Sequence, residues 1–319
     1  MNLSAGATGV EIQKALDSLP KTGGEVVLAA GIYAVARPIV LQRDNQTLCG
    51  AGAATVLRLA DGANCPVIIM GEPVNHPDQV RYLRVSDLFI DGNRAHQNRE
   101  CWRLQGKGSE IRNNGITVQN VSDSMVEHVT TAHCRSGGLV TTLNTRRFTA
   151  RDLNSYDNEF DGLACFLTED CVFTNLYLHD NLDGAGISLD GNFNHNIIAD
   201  AILAGNDLGI FMRWSHDNQF RDISIRNSHN YGVFMAQAET QTALGWALAP
   251  GTECADNLFN NLITTNCGNA AFHVNNASCT NNIIRYARFE DNCQGNLALG
   301  RRNESRLIEP IFRRPALSL

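Results

Sequence analysis

Asp190, Arg213, His273 and Tyr156 are the side chains whose types suit acid–base work on a substrate carrying a carboxylate or carbonyl. The arginine would neutralise substrate charge. An aspartate, imidazole or phenol would carry the proton. Phe166, Ser188, Phe211, Phe234, Trp246, Gln119 and Asn275 are the residues that would bind substrate around them. These positions are scattered along the chain, and they become neighbours only if the chain repeats with a constant period.

It does repeat. YDNEFDGLACF at Tyr156–Phe166 is nearly copied by HDNLDGAGISLD at His179–Asp190. Stepping outward from Gly186 gives equivalent positions at Gly115, Gly138, Gly162, Gly186, Gly209, Gly232, Ala271 and Asn296, with intervals of 23, 24, 24, 23, 23, 39 and 25. A second ladder runs through Val129, Leu153, Leu176, Ala201, Ile223, Leu262, Ala287 and Ile311. Both ladders stretch at the same place, so one insertion, roughly residues 237–252, interrupts the array. Short alternating segments separated by Asn, Asp and Gly turns, in units of about 23 residues, predict the coils of a parallel β-helix. Asn158, Asn181, Asn206, Asn230 and Asn292 fall in the turns, where Asn tolerates left-handed backbone and can bond to its stacked copy. The fold class is therefore all-β, a right-handed parallel β-helix.

The opening ATGVEIQKALDSLPKTGG reads as an amphipathic helix, with Val10, Ile12, Ala15, Leu16 and Leu19 apolar and Pro20, Gly23 and Gly24 ending it. A solenoid end exposes core, so residues 1–24 are expected to cap it. The chain is expected to be one β-helix domain over 1–319, with no linker.

Period-2 alternation after each ladder Gly sends Ile116/Val118, Leu139/Thr141, Leu163/Cys165, Ile187/Leu189, Ile210/Met212, Val233/Met235 and Phe272/Val274 inward. The outward residues form two columns. One holds Thr117, Val140, Ala164, Ser188, Phe211, Phe234 and His273; the other holds Gln119, Thr142, Phe166, Asp190, Arg213, Ala236 and Asn275. Stacked strands lie about 4.8 Å apart, so Asp190 and Arg213 should touch. The pair is read either as part of a site or as an exposed salt-bridge ladder. A row of solvent-facing Phe residues favours the site.

The net charge is −7 over 319 residues, which argues against a nucleic-acid binder. No apolar run approaches the ~18 residues of a membrane span. The ten cysteines form no CxxC pair, and MNLSAGATGVEIQKALDSLP lacks the basic and apolar regions of a secretory leader, so reduced thiols and a cytoplasmic location are expected. Turn residues His133, Asp157, Glu159, Asp161, His179, Asp183, His216 and His229 could hold calcium, but Asp in Asp-Gly turns more often caps backbone, and no cofactor is expected.

The opening IQKALDSLPKTGGEVVLAAGIYAVARPIVLQRDNQTLCGAG, then LFIDGNRAHQNRE at Leu88–Glu100 and the coils that follow, resembles the pectate-lyase-like β-helix superfamily. Within it, the DN…DG turns are similar to those of mannuronan C5-epimerase and alginate lyase modules. The resemblance implies a substrate cleft on the sheet that carries the two columns. The epimerases' Asp-Pro-His motif occurs nowhere in this chain, so their catalytic residues have no counterpart here.

The resemblance implies a lyase or epimerase abstracting a proton beside a carboxylate or carbonyl of a carbohydrate. The missing motif, the Phe-lined column and the single Arg213 in it favour the runner-up reading, an intracellular isomerase or cyclase acting on an apolar small molecule. A non-catalytic carbohydrate-binding module is the third reading. The insertion, with ALGWALAP around Trp246, is expected to stand beside the cleft as a lid or wall.

Overall fold

The computed structural model describes residues 1–104, 110–243, 245–295, 297–299, 306–308 and 311–313. Asn296, the last step of the first ladder, lies outside them.

Each coil contributes one strand to a flat parallel sheet and another to a bent parallel sheet. The flat sheet stacks Ile39–Leu41, Ile68–Met70, Ile116–Gln119, Leu139–Thr142, Leu163–Glu169, Ala185–Asn194, Leu208–Arg213, Val233–Ala236, Phe272–Val274 and Leu297–Leu299. Its register follows the first ladder: Ile116, Leu139, Leu163, Ile187, Ile210, Val233, Phe272 and Leu297 pair in succession. The bent sheet pairs Val129, Leu153, Leu176, Ala201, Ile223 and Leu262, as the second ladder requires. Its last step is a residue out, because Ile311 pairs with Arg288 rather than Ala287.

The bend has a local cause. Asp87, His128, Asp152, Asn175, Asp200, Asp222 and Asn261 each sit mid-strand with φ between 51° and 60°. Each is skipped by the pairing on either side. Asn, Asp and His adopt the left-handed region most readily among non-glycine residues. One such residue per coil turns the strand through a corner without a loop.

The inward residues of the flat sheet are buried from Ile116 to Val274, as the alternation predicts. Phe148, Phe173, Phe193, Phe220, Phe259, Phe272 and Phe289 are also fully buried, and Phe220 stacks on Phe259 with centroids 4.3 Å apart. Two asparagine ladders seal the corners. In one, the amide of Asn158 donates to Asn181 Oδ1 (2.9 Å) and that of Asn181 to Asn206 Oδ1 (2.8 Å). The other runs Asn196, Asn218, Asn257, Asn282.

The cap is the helix Gly9–Ser18, begun by a Thr8/Glu11 capping box in which the Thr8 N–H donates to Glu11 Oε2 at 2.7 Å. It buries Ile12, Ala15 and Leu16 on the first coil, whereas Val10, expected on that face, is exposed. Residues 237–252 contain an antiparallel hairpin, Glu239–Thr242 with Gly245–Leu248, and the flat sheet resumes its register beyond it. Among the described residues, no helix is long and apolar enough to cross a membrane.

Candidate functional site

A cleft of about 490 Å³ lies on the outer face of the flat sheet. Consecutive rungs of the outward column, Val140, Ala164, Ser188 and Phe211, form its floor. Phe166, Asp190 and Arg213 line one side, and the Phe160–Asp161 turn lines the other. A hairpin that leaves the coil, Cys101–Leu104 paired with Glu110–Arg112, supplies Glu110 and Arg112 to the lining.

Asp190 and Arg213 meet as the register predicts. Arg213 Nε donates to Asp190 Oδ2 at 3.0 Å, and Nη2 joins the same oxygen. The Gly191 N–H donates to Asp190 Oδ1 at 2.7 Å. The bond to Asp190 holds the Arg213 guanidinium above its already high value, and Glu239 at the hairpin base adds to this. Arg213 also lies over the Phe211 ring, 5.4 Å from its centroid.

Asp161, one of the Asp-Gly turn residues, also lines the cleft. Its carboxyl accepts from the Ala185 N–H at 2.8 Å, which is the capping role the Asp-Gly turn suggests, and its carbonyl accepts from Gly138 N–H at 2.9 Å. The next coil packs tightly beneath this turn. A Cβ on Gly184 would lie 2.4 Å from the Phe160 carbonyl carbon, so only glycine fits. Burial pushes the Asp161 carboxyl up to about 6. The Ala185 N–H and Arg112 pull it down, and Asp190 adds to the rise. The residue keeps part of its surface open to the cleft. A carboxyl that titrates near 6 can both give and take a proton at neutral pH.

The remaining site expectations separate by rung. Phe166, Ser188 and Phe211 line the cleft with Asp190 and Arg213. His273 is in the expected column but stands three rungs past Ser188, about 14 Å at ~4.8 Å per rung, too far to share a proton with the Asp190 rung. It instead stacks on Phe234 (5.3 Å, 17°), which stacks on Phe211 (6.0 Å, 5°). Tyr156 is on the bent sheet, stacked on His179 at 4.9 Å, and is not part of the cleft lining. Gln119 points outward but is buried, its amide donating to the Glu72 carbonyl. Asn275 is exposed at the end of Phe272–Val274, beyond the cleft. Trp246 is 70% exposed on the hairpin and is not among the lining residues, so the expected lid is not drawn over the floor.

Three of the buried cysteines are poor nucleophiles. Burial pushes Cys65, Cys134 and Cys171 up to about 12. Among the described residues, no three His, Cys, Asp or Glu side chains are grouped to hold a metal ion.

The sequence model of the rhamnogalacturonase A/epimerase, pectate lyase-like family matches residues 6–234, from the cap to the strand after Arg213. The chain belongs to this family. Among solved structures, this pectate lyase-like chain is similar to ORF18 of Geobacillus virus E2, with a TM-score of 0.72 at 14% identity over 98% of the chain. It spans 60% of that viral protein's length. It is also similar to the Azotobacter vinelandii mannuronan C-5 epimerase AlgE6 A-module, with a TM-score of 0.63 and 16% identity over 97% of this chain and 96% of that one. The Yersinia enterocolitica family 28 exopolygalacturonase gives a TM-score of 0.64 and 12% identity over 98% and 78%. At these identities the likeness is one of fold. No curated protein matches at the sequence level.

Proposed function

We propose that this pectate lyase-like protein is a carbohydrate-active enzyme that hydrolyses a glycosidic bond with two carboxyl groups. The observation that carries the reading is the pairing of Asp161, raised to about 6, with Asp190, ion-paired to Arg213, in one cleft. Two carboxyls in unlike surroundings are the usual means of separating acid from base. Asp161 gives its proton to the glycosidic oxygen as the bond from that oxygen to the anomeric carbon breaks. A water attacks the anomeric carbon from the other face and loses a proton to Asp190. The small side chains of Ala164 and Ser188 on the floor leave room for that water, as an inverting reaction requires. Exchange with solvent then restores both carboxyls.

A second reading keeps Asp161 as a base that abstracts a proton beside a uronate carboxylate, making the protein a lyase or epimerase. It is favoured by two arginines, Arg112 and Arg213, at the cleft walls. The products decide. Hydrolysis releases reducing ends, with the anomeric proton inverted by NMR and no ultraviolet absorbance from an unsaturated uronate. That absorbance would establish the lyase. Ring inversion without chain cleavage would establish the epimerase.

A further inference from the structure

We infer that the cleft takes an uncharged sugar ring, seated in the slot that Ala164 and Ser188 leave between Val140 and Phe211; this rests on the saccharide reading above.

Two observations carry it. The first is steric. Along the outward column the side chains run Val140, Ala164, Ser188, Phe211 on four consecutive rungs. Two rungs without bulk are bounded by two with it, which makes a slot rather than a continuous groove. Phe234 covers one face of Phe211. Phe211 closes one end of the slot together with the Arg213 guanidinium, 5.4 Å from the ring centroid, and its carbons give the slot an apolar wall against the C–H groups of a sugar.

The second is electrostatic. The described lining residues include two cations, and each is already held. Arg213 is bonded to Asp190, and Arg112 is bonded to Glu100 and to Glu110, at 3.3 Å for the latter. Against these stand three lining carboxyl groups, Glu110, Asp161 and Asp190. A uronate entering here would have to break an internal ion pair to find a counter-charge, and it would face a wall that is neutral or negative. A neutral sugar needs only the apolar wall and the hydroxyl groups of Ser136, Thr142 and Ser188, because the Asn114 amide is taken up by Thr117 and the Gly137 N–H.

The test is calorimetric titration of the full chain carrying Asp161→Asn, which slows turnover. The probes are neutral tetrasaccharides of glucose, galactose, mannose and xylose, and the anionic tetragalacturonate and tetramannuronate. At least one neutral tetrasaccharide is expected to bind at least tenfold more tightly than either anion, unaffected by a tenfold rise in ionic strength. Ser188→Leu, which fills the slot, should weaken that binding at least tenfold with an unchanged melting temperature. Phe211→Leu, which removes the aromatic wall and its contact with Arg213, should do the same and serves if the first variant fails to fold. Salt-sensitive binding of an anion in preference overturns the inference while leaving the hydrolase reading intact. So does the absence of binding across the neutral panel. Neutral binding indifferent to both substitutions overturns the slot. Slot-dependent neutral binding by a chain whose unsubstituted form cleaves none of the probes upholds this inference and sinks hydrolysis instead.

Discussion

Asp161→Asn is expected to lower kcat by about 10²–10⁴, the usual worth of a positioned acid or base, and at the same time to make the protein more stable near pH 8. Both effects follow from one fact, that burial raises this carboxyl from 3.8 to about 6. A raised carboxyl means the folded chain holds the proton more tightly than the unfolded one. The cost of ionising it in the fold is absent below about pH 4, grows as the pH passes through 6, and is complete by pH 8. The full shift corresponds to about 3 kcal/mol. Because the residue keeps contact with solvent through the cleft, a gain of about 1–2 kcal/mol is expected. Asn can still accept from the Ala185 N–H, so the turn is preserved. Denaturant titrations at pH 4 and pH 8 check this: wild type and variant should agree at the lower value and separate at the higher. A gap that is the same at both would mean that Asp161 titrates normally, and the acid role would fall with it.

The largest structural effect is expected at Asn218. Its Oδ1 accepts the backbone N–H of Asn196 (3.0 Å) and the Asn196 side-chain amide (3.2 Å), and its own amide donates to the Phe193 carbonyl (2.9 Å) and to Asn257 Oδ1 (2.9 Å). Asn218 is 1% exposed, so water cannot replace these partners. Asn218→Ala leaves two or three buried polar groups unpaired at about 1–3 kcal/mol each, a loss of roughly 3–5 kcal/mol. That is a large part of the stability of an ordinary domain. Thr174→Ala, which removes one exposed bond to Asp200, should change stability by less than about 0.5 kcal/mol. Urea midpoints for the two variants should therefore differ sharply. Equal midpoints would mean that the ladder organises the corner without stabilising it.

The repeat was legible because a parallel stack demands the same residue class at the same phase on every coil, and a small set of spacings states that demand. Register, inward face and the Asp190–Arg213 contact all follow from it. The slip at Ile311 shows the limit: near the end of the array a ladder resting on apolar character alone cannot separate adjacent residues. The site was half legible. The columns put Phe166, Ser188, Phe211, Asp190 and Arg213 on one face, but sharing a face does not mean sharing a cleft, which is bounded by side-chain size along the column. His273 shares the column but lies three rungs away, and Tyr156 belongs to another sheet altogether. Asp161 gave a signal that meant something else, since Asp before Gly is the ordinary chemistry of a turn, and here the same carboxyl caps the backbone and faces the cleft. Glu110 and Arg112 gave none, because their hairpin stands outside the period. The ladder of Asn196, Asn218, Asn257 and Asn282 has the coil spacing too, but it carries no Asp-Gly turn to mark it.

Val233 and Phe272 are 39 residues apart in the chain, yet they pair in the same register as every other rung of the flat sheet. The 237–252 hairpin therefore bulges out of the lattice without altering it. A scaffold of this kind separates inheritance into two parts: the stacked interior tolerates little change, while the excursions between rungs can lengthen, shorten or be exchanged between homologues at small cost. The strand Glu110–Arg112, which lines the cleft, belongs to such an excursion, whereas Asp161 and Asp190 sit on the coils themselves. The divergence compatible with a common fold at 12–16% identity is what such an arrangement permits.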